Sequence, residues 1–93
     1  MNPLYVGIDV SSKTNVVYLM KPDSPKINNF SVDNSLDGSK KLVKIILSAL
    51  ENHSLDKVII GLEATSIYGD NLVYFLREDC SLSKHLTKIH ILN

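Results

Sequence analysis

The chain has 93 residues, 44% of them hydrophobic and 22% charged, with ten basic side chains matched by ten acidic ones. That length allows a single domain, residues 1–93, with a thin core; zero net charge argues against a free-standing nucleic-acid binder with a basic face. The lone Cys80 excludes an internal disulfide, no apolar run approaches the ~20 residues of a membrane span, and Met1–Leu4 has no signal-peptide pattern, so a cytoplasmic protein is expected.

Tyr5–Val10 is β-branched and aromatic and predicts a first strand. Ser11-Ser12-Lys13 is a turn, and Asn15–Met20 a second strand, so the two form a hairpin. Pro22-Asp23-Ser24-Pro25 is a further turn, and Ile27–Val32, more polar, suits a sheet edge. Asn34 or Ser35 offers a helix cap, and Asp37 suits the positive end of a helix dipole. Leu36, Val43, Ile46, Leu47 and Leu50 recur at helical spacing through Asn52, with Lys40, Lys41, Lys44 and Glu51 on or near the other side. Lys57–Leu62 is a near-continuous apolar run, the mark of a strand buried on both faces. A second helix is expected from about Ile67 to Asp79 with Tyr68, Leu72, Phe75 and Leu76 inward, and a last strand from Thr87 to Leu92. The order β-β-β-α-β-α-β predicts an α/β fold with two helices and a five-stranded mixed sheet. The first strand is central in the expected strand order 3-2-1-4-5.

Two acids stand where burial makes them costly. Asp9 is near the end of the first strand, and Glu63 directly follows the most apolar one. If those strands are parallel neighbours, their backbones lie about 4.8 Å apart. Both carboxylates then meet at the carboxyl edge of the sheet, where open α/β sheets place ligands. Like charges so close repel unless a cation or proton lies between them. Mg²⁺ suits such oxygen donors, and a pair of ions ~4 Å apart stabilises both oxygens of a phosphodiester displacement. On spacing alone, the plainer reading, Asp9 capping the turn and Glu63 capping the next helix, stands ahead of the catalytic one.

Val6-Gly7-Ile8-Asp9-Val10-Ser11, followed by Lys13-Thr14 and a strand, resembles the opening of the DEDD-type transposases of bacterial insertion sequences. Gly61-Leu62-Glu63-Ala64-Thr65, with Tyr68 beyond, is similar to their second motif, and Ile89–Asn93 to the strand that precedes their third. The resemblance covers Tyr5 to Asn93. It implies a ribonuclease-H-like (RuvC-like) fold in which four acids bind Mg²⁺ or Mn²⁺ for DNA cleavage and strand exchange. Asp9 matches the first acid and Glu63 the second. The third and fourth acids, and a C-terminal domain with a catalytic serine, are expected beyond Asn93. This chain alone is therefore expected to be C-terminally truncated, to bind metal weakly and to be inactive. The implied partners are the DNA of the insertion-sequence ends and target, with a guide RNA possible, since the family is similar to RNA-guided recombinases. Ser12 stands where lysine is frequent and Ser66 where glycine is frequent; neither is a metal ligand. In the resembling fold a later helix covers one sheet face. Either Val6, Ile8 and Val10 or Tyr5 and Gly7 should then lack cover here, and a homo-oligomer is expected.

Lys13, Thr65, Ser66 and Tyr68 are candidate DNA contacts. Thr65 and Ser66 lie at a helix start, which favours phosphate but equally favours capping. Tyr68 suits core packing with its hydroxyl outward as well as it suits a site, and Lys13 suits a solvated turn. His53, His85 and His90 have no metal-ligand spacing, and Cys80 reads as a small, partly buried side chain. Two other functions share parts of this pattern. An actin-like ATPase or sugar-kinase fragment would want a glycine-rich turn after Asp9, which Ser11-Ser12-Lys13 is not. A non-catalytic dimerisation module on a degenerate nuclease fold would have no need of both acids.

Overall fold

The computed structural model describes residues 3–22, 24–63 and 69–92. The strand-forming runs become β1 (Pro3–Val10), β2 (Thr14–Lys21) and β3 (Ser24–Asp33), an antiparallel meander closed by short turns. A helix, α1 (Leu36–Asn52), leads to β4 (Lys57–Glu63); α2 (Asp70–Glu78) and a short α3 (Cys80–Ser83) lead to β5 (Leu86–Leu92). β4 pairs in parallel with both β1 and β5, which gives one five-stranded mixed sheet of order β3-β2-β1-β4-β5. The strand order is the one the sequence predicts.

Ser35 caps α1: its extended backbone lets the side-chain oxygen accept from the Gly38 N–H at 3.1 Å. Asp37 sits in the first turn. The helix lays Leu42, Val43, Ile46, Ala49 and Leu50 onto the sheet, where they meet Leu4, Val6, Ile8, Val17, Leu19, Val58, Ile60 and Leu62 in one buried cluster. Leu72 and Leu76 of α2 and Leu82 of α3 close the same core. Every one of these strand residues lies on one face of the sheet, because successive side chains alternate.

The opposite face is open among the described residues. Tyr5 and Tyr18 are 38% and 39% exposed, Asp9 and Glu63 are exposed, and Val16, Met20, Ile59 and Gly61 are only half-buried. This corrects the reading of β4 as buried on both faces. Its apolar run is continuous, yet Val58, Ile60 and Leu62 are buried while Lys57, Ile59 and Gly61 are not. Leu36 is also corrected. Its position in the first turn of α1 leaves it 60% exposed, and Leu42 takes the core place instead. The expected two helices are three. Asp79 adopts an extended backbone (φ −69°, ψ 120°) that ends α2, and its carboxylate then accepts from Leu82 N–H at 2.9 Å to start α3. Cys80, in α3, is exposed rather than partly buried. No described helix is long and apolar enough to cross a membrane.

Candidate metal centre

Asp9 is the penultimate residue of β1 and Glu63 the last of β4. The two strands run parallel in unbroken register from Pro3↔Lys57 to Asp9↔Glu63, so the acids are direct neighbours across the ladder. Alternation puts both on the open face, since Ile8 and Leu62 beside them are buried. Their backbones are therefore about 4.8 Å apart, and the two carboxylates lie side by side and exposed, which corrects the expectation that they are buried at a cost. Both line one open hollow of about 240 Å³, together with Gly7, Tyr18 and Gly61.

The turn beyond Asp9 is closed from within. Ser11 Oγ donates to the Thr14 carbonyl and accepts from the Thr14 N–H, and the Ser11 N–H donates to the same carbonyl at 3.1 Å. The turn is also tied to the segment before α1. The Asn34 side-chain amide donates to the Ser11 carbonyl at 2.7 Å, and the Asn34 N–H to the Lys13 carbonyl at 2.8 Å. Asn34 thus braces the turn, and Ser35 does the capping. Lys13 is exposed in that turn. Thr65, Ser66 and Tyr68 lie outside the described residues, so only Asp9, Glu63 and Lys13 of the expected site residues have a described place.

Sequence reasoning missed the floor and walls of the site. Gly7 and Gly61 are register partners on the two central strands, with Tyr18 opposite Gly7 on one side and His90 opposite Gly61 on the other. The missing side chains extend the hollow away from the acids into a second one of about 200 Å³, which Tyr5, Met20, Ile59 and His90 also line. Neither glycine has a positive φ. A Cβ on Gly61 would meet nothing within 4 Å, and one on Gly7 would make ordinary contact with Met20 and Tyr18. A glycine inside a strand is itself the signal, since it often marks close approach by another group. A larger cleft of about 370 Å³ lies between the start of α1 and α2, walled by Leu36, Ser39, Tyr74 and Phe75. It has no carboxylate, histidine or cysteine on its walls. A hollow beside α2 is lined by Asp70, Arg77 and Glu78 and one beside α1 by Asp33, Asp37 and Lys41, but of these it is the Asp9–Glu63 hollow in which two carboxylates are strand-register partners.

Among the described residues, no three His, Cys, Asp or Glu side chains come together as a metal site. The donor set is two carboxylates. Oxygen donors of this kind fit Mg²⁺ or Mn²⁺, and Mg²⁺ commonly takes one or two carboxylates and completes its shell with water and phosphate oxygens.

A family model described as a transposase, of the DEDD type and IS110 group, matches residues 6–91. No curated protein matches the sequence. Solved structures similar to it include members of the Ppx/GppA family from Aquifex aeolicus. One has a TM-score of 0.52 at 5% identity, over 99% of this chain and 35% of its own. The type II variant of the Ppx/GppA phosphatase has a TM-score of 0.52 at 9% identity, over 98% and 36%. A further structure of the Ppx/GppA enzyme has a TM-score of 0.50 at 11% identity, over 98% and 36%. The likeness is one of fold alone, and the chain spans about a third of the length of these structures.

Proposed function

Because the chain belongs to the DEDD-type transposase family of the IS110 group, we propose that Asp9 and Glu63 are two of the carboxylates with which a ribonuclease-H-like nuclease domain holds Mg²⁺ or Mn²⁺ to cleave and rejoin insertion-sequence DNA. The observation that carries this reading is the direct opposition of Asp9 and Glu63 on neighbouring parallel strands. A pair of like charges side by side adds nothing to the fold, whereas a divalent cation between them would be attracted by both. When bound, divalent metal supplies stabilisation of the attacking and leaving oxygens of a phosphodiester. The chain's own part is to present two oxygen donors at a fixed spacing. It also braces the adjoining turn through Asn34 and keeps Gly7 and Gly61 clear of side chains beside the acids. DNA is the substrate this implies, and Lys13, on the exposed turn, is a candidate for a phosphate contact.

The Ppx/GppA likeness favours a second reading, since that family has the actin-like ATPase fold. The turn after the first strand speaks against it. Phosphate-binding turns use glycine to bring backbone N–H groups close to a phosphate, and here Ser11-Ser12-Lys13 contains none and is closed on its own serine.

Mn²⁺ titration of the chain, followed by paramagnetic broadening of amide signals, tests the proposal. Broadening should centre on the ends of β1 and β4 and should disappear in the Asp9→Asn/Glu63→Gln variant. Broadening centred elsewhere, or unchanged in that variant, would overturn the assignment. ATP-dependent shifts around Ser11–Thr14 without any metal response at Asp9 would favour the second reading.

A further inference from the structure

We propose that Tyr18 and the bare strand backbone beside it form a subsite for one unpaired nucleobase of the DNA, next to the phosphate assigned to the Asp9–Glu63 pair. The proposal rests on the reading of that pair given above and extends it from the phosphate to the base.

Strand alternation sends Asn15, Val17 and Leu19 of β2 into the core and Tyr18 to the opposite face. There Tyr18 has no place in the core cluster and stays 39% exposed. It lines the same hollow as Asp9 and Glu63. Its neighbour across the ladder is Gly7, and the neighbour of Gly7 on the other side is Gly61. Two successive strand positions beside the ring therefore carry no side chain. Strands lie about 4.8 Å apart, within the ~4.5–7 Å at which stacked aromatic rings sit centre to centre. A second ring thus fits over Gly7, where a side chain would otherwise stand. Tyr18 Cβ is 3.9 Å and Met20 Cε 3.7 Å from the point that a Gly7 Cβ would occupy, and Met20 closes the gap on the side away from the acids. Over Gly61 nothing lies within 4 Å, so the gap opens in that direction.

A flat gap with an aromatic wall and a floor of bare backbone suits a nucleobase. Aromatic side chains hold bases by their faces, with little preference among the four. Distance favours the same occupant. The glycine row is two residues from the acids along β1 and β4, about 6.6 Å, which one nucleotide covers between its phosphate and its base. A base inside a duplex already has its faces stacked, so the subsite takes a nucleotide that is unpaired or turned out of the helix. The proposed cleavage needs this hollow open to a phosphodiester, and the base enters by the same route. No other part of the sheet face is involved.

The test follows proton signals of the 93-residue chain in Mg²⁺ during titration with a single-stranded tetranucleotide of deoxyadenosine, and with the same sugar-phosphate strand lacking its bases. The adenine strand should shift the Tyr18 ring signals upfield, and the abasic strand should leave them in place. Tyr18→Ala should weaken binding of the adenine strand about five-fold or more, and Tyr18→Phe should bind as the native chain does. Gly61→Val fills the floor where a Cβ meets no neighbour, so it should keep the fold and weaken the adenine strand similarly. Neither change should alter the abasic strand. Mn²⁺ broadening at Asp9 and Glu63, read on the same proteins, separates this subsite from the metal assignment. Equal binding of the two strands, undiminished adenine binding by Tyr18→Ala and Gly61→Val, or no binding by the native chain would each overturn the subsite, and Mn²⁺ broadening at the acids would leave their assignment standing. Shifts at Tyr18 without such broadening would support the base contact and overturn the metal assignment instead.

Discussion

Asn34 and Ser11, twenty-three residues apart, are joined by a 2.7 Å hydrogen bond from the asparagine amide to the serine carbonyl. The bond crosses from the segment that enters α1 to the turn that leaves β1 two residues after Asp9. Together with the Asn34 N–H to Lys13 carbonyl bond, it holds the turn in place. Replacing Asn34 by Ala should cost about 1 kcal/mol, the worth of one such bond. Urea melts measure the loss, and hydrogen exchange should quicken at the Ser11 and Thr14 amides. Unchanged exchange there would show that Ser11 and the Asn34 N–H to Lys13 carbonyl bond hold the turn without the asparagine side chain.

Two glycines should answer to the same substitution with opposite signs. Gly38 lies in the first turn of α1, and a Cβ there would sit 1.8 Å from the Asp33 carbonyl oxygen. Backbone cannot yield as a side-chain tip does, so Gly38→Ala should destabilise by about 2 kcal/mol or more. That outweighs the ~1 kcal/mol of helix propensity gained by alanine. Gly61 has open space at its Cβ and an ordinary strand backbone. Gly61→Ala should raise stability by roughly 0.5 kcal/mol. A loss at position 61 would mean that the floor of the hollow is needed for the fold itself.

Asn15 is fully buried, and among the described residues neither its amide nitrogen nor its oxygen has a partner. It sits opposite Val10 and Val32, on the same side of β2 as Val17 and Leu19. Orphaned polar groups in such a place cost about 1–3 kcal/mol, and valine is a better strand former. Asn15→Val should therefore stabilise the chain by about 1 kcal/mol or more, read as a higher midpoint in urea at unchanged slope. A lower midpoint would show that the amide has a partner in solution.

The sheet was legible in the sequence because its signals are local. β-branched runs separated by turns of a few residues leave little choice but a meander, and a helix between β4 and β5 makes them parallel. With β1 in the centre, Asp9 and Glu63 follow as neighbours. What was illegible depends on contacts across the chain. Asn34 and Ser35 both read as possible caps, and it is Ser35 that caps α1 while the Asn34 amide is committed to Ser11. The apolar run of β4 suggests burial on both faces, because composition cannot report that only one face is covered. The Gly7–Gly61 floor needs the register, which no single strand contains. Asp79 looks like the last residue of one helix, yet its carboxylate starts another.

The last expectation concerns chemistry. Phosphodiester cleavage with metal needs ions fixed by enough ligands to hold both reacting oxygens in line. The described residues bring two carboxylates together and no third His, Cys, Asp or Glu. Two carboxylates leave most of an octahedral shell to water, so binding to the chain should be weak and the geometry loose. The 93-residue chain incubated with Mg²⁺ or Mn²⁺ and a labelled DNA duplex should therefore leave the DNA intact, even where Mn²⁺ broadening shows the ion beside Asp9 and Glu63. The two readouts separate the claims. Metal response without cleavage supports an acid pair that holds an ion but does not by itself complete a nuclease. Cleavage that needs metal and is abolished by Asp9→Asn would refute incompleteness while strengthening the assignment of the pair. Cleavage that survives Asp9→Asn would place the activity outside this hollow.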